Sequence, residues 1–86
     1  MRPMNIKSRK AIEIAVEIAG GQEALAKQVR ALSGHSLTQG AVSQWVHGVS
    51  CISQRYFAAL VKIGRGEFTV EHLVRDNLAA AKERAA

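Results

Sequence analysis

The residues best suited to chemistry lie in one short stretch, Thr38-Gln39-Gly40-Ala41-Val42-Ser43-Gln44-Trp45-Val46-His47-Gly48. Thr38 is a good helix N-cap and Gly48 a good stop, which predicts a helix from about Thr38 to His47. At about 100° per residue, Val42, Trp45, Val46 and Val49 share one stripe. Gln39, Gly40, Ser43, Gln44 and His47 share the opposite one, and no Lys, Arg, Asp or Glu occurs between Gly34 and Ser53. Faces that are merely solvated usually carry Lys and Glu. An uncharged amide and hydroxyl face suits base edges instead, because Gln pairs bidentately with adenine N6 and N7 and Ser can donate or accept. An ordinary amphipathic helix with Gln and Ser on its wet side is the alternative.

Cations flank this stretch without entering it: Lys27 and Arg30 precede it, Arg55 and Lys62 follow it, and Arg2, Lys7, Arg9 and Lys10 cluster at the start. Phosphate contacts would then come from outside the reading helix, the usual division between positioning and specificity. Other chemistries find less support. His47 and Cys51, with His35 or His72 added, suggest a zinc site only loosely, since no CxxC or HxxxH pair exists. A Cys51 nucleophile would need a base and an oxyanion hole, and no residues supply them. His47 reads as a neighbour of phosphate or as plain surface. No catalytic residues, metal ligands or cofactor are expected.

The whole-chain totals agree. Eighty-six residues make one domain, and the net charge of +5 favours an anionic partner. One cysteine excludes an intramolecular disulfide, and the chain shows neither a leader-like apolar start nor an apolar run of membrane-spanning length. A cytoplasmic protein is expected. With 48% hydrophobic but only 5% aromatic residues, the core must be built from Ala, Val, Ile and Leu.

The elements that must position the stretch are all helical. Residues 1–8 read as a basic arm, residues 9–78 as the domain and residues 79–86 as an Ala-rich tail, either a frayed helix end or a disordered terminus. A first helix, capped by Ser8, runs from Arg9 to the stop at Gly20-Gly21, with Ile12, Ala15, Val16 and Ala19 inward and Ile14 and Ile18 widening the stripe. A second starts at Gln22 and carries Leu25, Val29 and Leu32. After the Thr38 helix, Ser53 caps a fourth, with Ile52 and Phe57 as a staple and Phe57, Leu60, Val61 and Ile63 inward. Gly64 closes it. Glu67-Phe68-Thr69 is expected to be extended, and a fifth helix from Val70 carries Leu73, Val74 and Leu78.

Gly20-Gly21-Gln22-Glu23-Ala24-Leu25-Ala26-Lys27 together with Ala41-Val42-Ser43-Gln44-Trp45-Val46-His47-Gly48 resembles the Cro/CI-type phage repressor domains. It is most similar to the YdaS-type, Cro-like group, which is associated with antitoxins. Ser53-Gln54-Arg55-Tyr56, Ile63-Gly64-Arg65-Gly66 and Glu71-His72-Leu73-Val74-Arg75-Asp76 extend the similarity, which covers about residues 12–78. The resemblance implies an all-α, five-helix, lambda-repressor-like helix-turn-helix fold. It implies a phage or prophage regulator that binds operator DNA in the major groove. Ala26 matches the small residue where the second helix meets the third, and Val42 and Trp45 match the buried anchors. Gln39, Gly40, Ser43 and Gln44 match base-facing positions. Gln22 matches a phosphate-contacting position at a helix N-terminus. Lys27, Arg30, Thr38, His47, Arg55, Arg9 and Lys10 complete the expected backbone contacts.

Two features depart from the family pattern. Val42 follows Ala26 by sixteen positions, more than in the compact motif, so either the second helix is longer or the turn is an extended loop. Gly40 stands near a position where related sequences often have Pro. It either permits close approach to DNA or is simply tolerated in a first turn. A homodimer is expected at least on DNA, since one small reading helix covers few base pairs, with the helix from Val70 and the exposed part of the fourth helix as its surface. A toxin-binding antitoxin is the competing reading. Single-stranded RNA is a weaker one, because the few aromatics fall in buried patterns.

Overall fold

The computed structural model describes residues 10–85 and, of these, the side chains of residues 10–83. The expected Ser8 cap, the arm over residues 1–8 and Arg9 lie outside the described residues. Five α-helices follow one another: α1 (Ala11–Ala19), α2 (Gln22–Ser33), α3 (Gln39–Val46), α4 (Phe57–Gly64) and α5 (Val70–Ala85). No strand occurs among the described residues. The protein is all-α, as the helical periodicity predicts.

Local sequence explains most of the helix ends. The amides of Gly20 and Gly21 both donate to Val16 O, at 3.0 and 2.9 Å, closing α1 and turning the chain straight into α2. Gly20 has φ 100°, a left-handed conformation that a side chain would disfavour. α2 ends likewise at Gly34, φ 74°. The fourth helix begins differently from the expectation: Ser53 makes no side-chain cap bond, and a single 3-10 turn, Gln54–Tyr56, leads into α4 at Phe57. Gly64 is the last residue of α4 rather than its left-handed stop. That role falls to Arg65 at φ 52°. The reason is space, since a Cβ on Gly64 would stand 2.6 Å from the ring of Phe68.

The core joins Ala11, Ile12, Ile14 and Ala15 of α1 with Leu25, Ala26 and Val29 of α2, Val42 and Trp45 of α3, and Phe57, Leu60 and Ile63 of α4. Ile52 is buried beside Phe57 in the same cluster, in keeping with the staple. α1 packs on α2, α4 and α5, while α2 packs on α3. Several expected core residues lie outside it. Leu32 sits on the last turn of α2, Val49 in the loop past α3, and both are exposed; Ile18 is only partly covered. On α5 only Leu73 of the expected trio is buried, while Val74 and Leu78 face outward at 41% and 66% exposure. α5 instead turns Leu73, Asp76, Asn77 and Ala80 toward the domain, because its polar residues bond to α1 and to the loop after α3. It continues past Leu78 to Ala85.

Candidate nucleic-acid interface

α3 begins at Thr38, whose extended backbone lets its hydroxyl accept from the Ala41 N–H at 3.1 Å. This satisfies one of the orphan amides at the helix start. Val42 is fully buried and Trp45 nearly so, which fixes the rotation of α3 about its axis. Trp45 lies against Tyr56, ring centroids 5.4 Å apart. The far end of Tyr56 donates its hydroxyl to Ser36 O at 2.5 Å.

The long connection before α3 resolves into both expected alternatives at once. α2 runs on to Ser33, and residues 34–38 form a loop. Three contacts pin that loop. Arg30 Nη1 donates to Leu37 O at 2.7 Å, Tyr56 holds Ser36, and Leu37 is buried. The extra residues therefore add length without freeing the helix they lead into.

The C-terminal end of α3 is equally complete. An α-helix leaves its last four carbonyls without intrahelical partners, and here each has one. Ser43 O accepts from the His47 amide at 3.0 Å, Gln44 O from the Val49 amide at 2.9 Å and Trp45 O from the Gly48 amide at 3.2 Å. Val46 O accepts from Lys10 Nζ at 2.9 Å, across 36 positions of sequence. The His47 ring also turns back, its Nδ1 at 2.8 Å from Ser43 O.

The expected base-facing residues share the outer side of this braced helix. Gln39, Gly40 and Gln44 are exposed and Ser43 is half-buried. Ser50 Oγ donates to Gln44 Oε1 at 3.4 Å, which biases the amide toward one orientation. A Cβ on Gly40 would meet nothing closer than Thr38 Oγ1 at 3.8 Å, so no crowding within the chain demands glycine there.

The expected phosphate contacts divide. Gln22 and Lys27 of α2 line one surface hollow with Gln39 of α3 and with Gly20 and Gly21. The starts of the two helices thus converge on a place where amide groups and one ammonium could meet an anion, with the Glu23 carboxylate lining the same hollow. Arg55 is exposed on the 3-10 turn. Thr38 serves the cap of α3 while keeping its hydroxyl proton for an outside acceptor. Arg30, Lys10 and His47 are engaged within the protein through Leu37, Val46 and Ser43.

Sequence reasoning missed a second set of residues, on α5, that hold this region. Asn77 accepts from the Ile52 N–H at 2.8 Å and donates to Ile52 O at 3.0 Å, clamping the chain beyond α3. Asp76 Oδ2 accepts from the Ala11 N–H at 2.6 Å and so caps α1. Burial pushes the Asp76 carboxyl above its ordinary value, against the lowering effect of the Ala11 amide and of nearby His72. Neither role has a local signature, because the partners lie 25 and 65 positions away. Tyr56 alone gave a hint, since a buried phenol needs a partner for its hydroxyl.

Among the described residues no group of three or more His, Cys, Asp or Glu is placed to hold a metal ion. No described helix is long and apolar enough to cross a membrane.

A family model described as "Bacterial toxin YdaS" matches residues 12–81. The chain belongs to the YdaS family. This is a Cro/CI-type helix-turn-helix family linked to toxin–antitoxin systems, as the two sequence motifs implied. No curated protein and no solved structure gives a significant match. The YdaS match spans all of α1–α4 except Ala11 and most of α5, so the braced α3 belongs to the family's own domain.

Proposed function

We propose that this YdaS-family chain reads double-stranded DNA with α3 as the regulatory component of a toxin–antitoxin-type locus, and that it also meets a protein partner. The DNA-reading half rests on one observation: a short helix fixed at both ends and along its buried stripe exposes amides and a hydroxyl but no charge. In this reading Gln39, Gly40, Ser43 and Gln44 face base edges. Gln22, Lys27, Thr38 and Arg55 meet the backbone, with Arg30 as a further cation and Arg9, outside the described residues, as another. Selection of bound sequences from random duplexes, followed by a mobility-shift assay with RNA competitor, tests it. A recurring sequence that RNA does not displace is expected. No shift at moderate salt would sink the DNA reading.

The protein-partner half is favoured by the family description, which names a toxin where the sequence resemblance had implied an antitoxin. On this second reading, binding within a toxin–antitoxin pair is the main task and DNA binding serves autoregulation. The outer face of α5 offers a surface: Val70, Val74 and Leu78 recur at four-residue intervals and are 44%, 41% and 66% exposed. We assign that face to a second copy of the chain. In an antiparallel pair crossing near Asp76, Val74 of one copy meets Leu78 of the other, and Glu71 lies opposite Lys82. Two copies would present two reading helices to paired half-sites. Light scattering on the free protein and on its DNA complex checks this. A monomer in both would reassign the stripe to a different protein.

A further inference from the structure

The structure assigns Lys10 as a positioning residue for the reading helix: its ammonium holds the C-terminal carbonyl of α3 and so fixes the helix's angle and register, instead of touching DNA phosphate. This rests on the proposal that α3 reads DNA. Three observations carry it. Lys10 Nζ lies 2.9 Å from Val46 O, and Lys10 is itself half-buried. α3 has no basic residue in its last turn, so it provides no cation of its own at the negative end of its dipole. The preceding three carbonyls are served by amides of residues 47–49, the immediate continuation of the helix, which leaves Val46 O to a group from elsewhere in the fold.

The location of Lys10 explains how one side chain can orient α3 against the domain. Lys10 is the N-cap residue of α1, and the adjoining Ala11 amide is bonded to Asp76 of α5. The Lys10 side chain therefore extends from a backbone position already fixed by two helices. It arrives beside Gly48, where a Cβ would stand 3.7 Å from Lys10 Nζ, 3.7 Å from Ala80 Cβ and 3.8 Å from Glu83 Oε1. The end of α3, the start of α1 and the outer half of α5 meet at this point. An eight-residue helix is about two turns long. A small tilt at its end shifts Gln44 relative to Gln39, and base readout tolerates little such error.

Phosphate contact and positioning predict different salt behaviour. A lysine that neutralises a phosphate contributes about 0.9 to the slope of log K against log salt, and its loss weakens all sequences alike. A positioning lysine leaves the slope intact and weakens only the selected sequence. The test compares wild type with Lys10→Met, which keeps the length and removes the ammonium, and with Lys10→Gln should the first variant fold poorly. Affinities for the selected duplex and for random duplex are measured across a salt series, and the Val46 carbonyl carbon resonance is followed without DNA. The expected result is a loss of roughly fivefold or more on the selected duplex, with random-duplex affinity and salt slope unchanged and the Val46 resonance displaced. A slope reduced by about one, with equal losses on both duplexes, would overturn the assignment in favour of phosphate contact. An unmoved Val46 resonance or unaltered discrimination would overturn it too. If wild type selects no sequence at all, the DNA reading fails by itself, and the resonance still decides whether Lys10 holds α3.

Discussion

Helices α3 and α5 each leave one face uncovered, and the two faces differ in kind. α3 shows Gln39 and Gln44 and carries no formally charged residue of its own, whereas α5 shows Val70, Val74 and Leu78 beside Glu71, Arg75 and Lys82. Amides and hydroxyls leave water at a cost unless every lost hydrogen bond is replaced in the right place, so such a face discriminates between partners. Aliphatic surface gains from any burial and discriminates weakly, but it supplies affinity. The support behind the faces differs accordingly. α3 has both ends bonded and a buried stripe beneath it, while α5 runs sixteen residues with polar bonds to the domain through Asp76 and Asn77. A braced polar face on α3 and an apolar one on α5 are what the proposed reading and pairing respectively require.

The contrast can be broken most forcefully from below. Trp45→Ala removes the anchor under α3 and should destabilise the domain by about 3–5 kcal/mol, measured by urea or thermal unfolding. A much smaller loss would mean that α3 does not depend on its buried stripe. Next in size, Gln39→Ala and Gln44→Ala should each cost about 1–3 kcal/mol on the selected duplex while leaving random-duplex binding nearly unchanged. Equal losses on random DNA would remove both from base reading. Leu78→Glu on the other helix should change stability by no more than about 0.5 kcal/mol, since the residue is already exposed. It should nevertheless convert a dimer to a monomer in light scattering; a dimer that survives would place the pairing surface elsewhere.

The smallest effect concerns pH. The Asp76 carboxyl titrates above its ordinary value in the fold, because burial outweighs the Ala11 bond. The folded state then binds the proton more tightly than the unfolded chain does. The resulting stabilisation is complete below the ordinary carboxylate value and is lost as pH rises through the folded one. Asp76→Asn keeps an oxygen for the Ala11 amide and should flatten the part of the stability profile that begins near the ordinary carboxylate value and runs upward from it. An unchanged profile would assign the pH dependence to other groups.

Some of this was legible residue by residue. Thr38 and Gly20 announced helix ends because their bonds close within a few positions. The alternation of Val42 and Trp45 with Gln39 and Gln44 announced both faces of α3. The α5 stripe misled: Leu73, Val74 and Leu78 all fit a helical period, but the period does not say which of two neighbouring stripes turns inward. That was settled by Asp76 and Asn77, whose partners sit on α1 and in the loop after α3. Gly64 misled in a similar way, since glycine commonly ends a helix, yet here it makes room for Phe68.

The sequence alone thus determined five helices, the cap at Thr38, the stop at Gly20, the basic balance and the uncharged face of the Thr38 stretch, because each is written in composition or in residues a few positions apart. The tertiary structure decided which apolar stripe of α5 is buried, how the long loop before α3 is pinned, and that Lys10 serves Val46. Those outcomes depend on groups separated by tens of residues, whose approach is fixed only when the helices pack together.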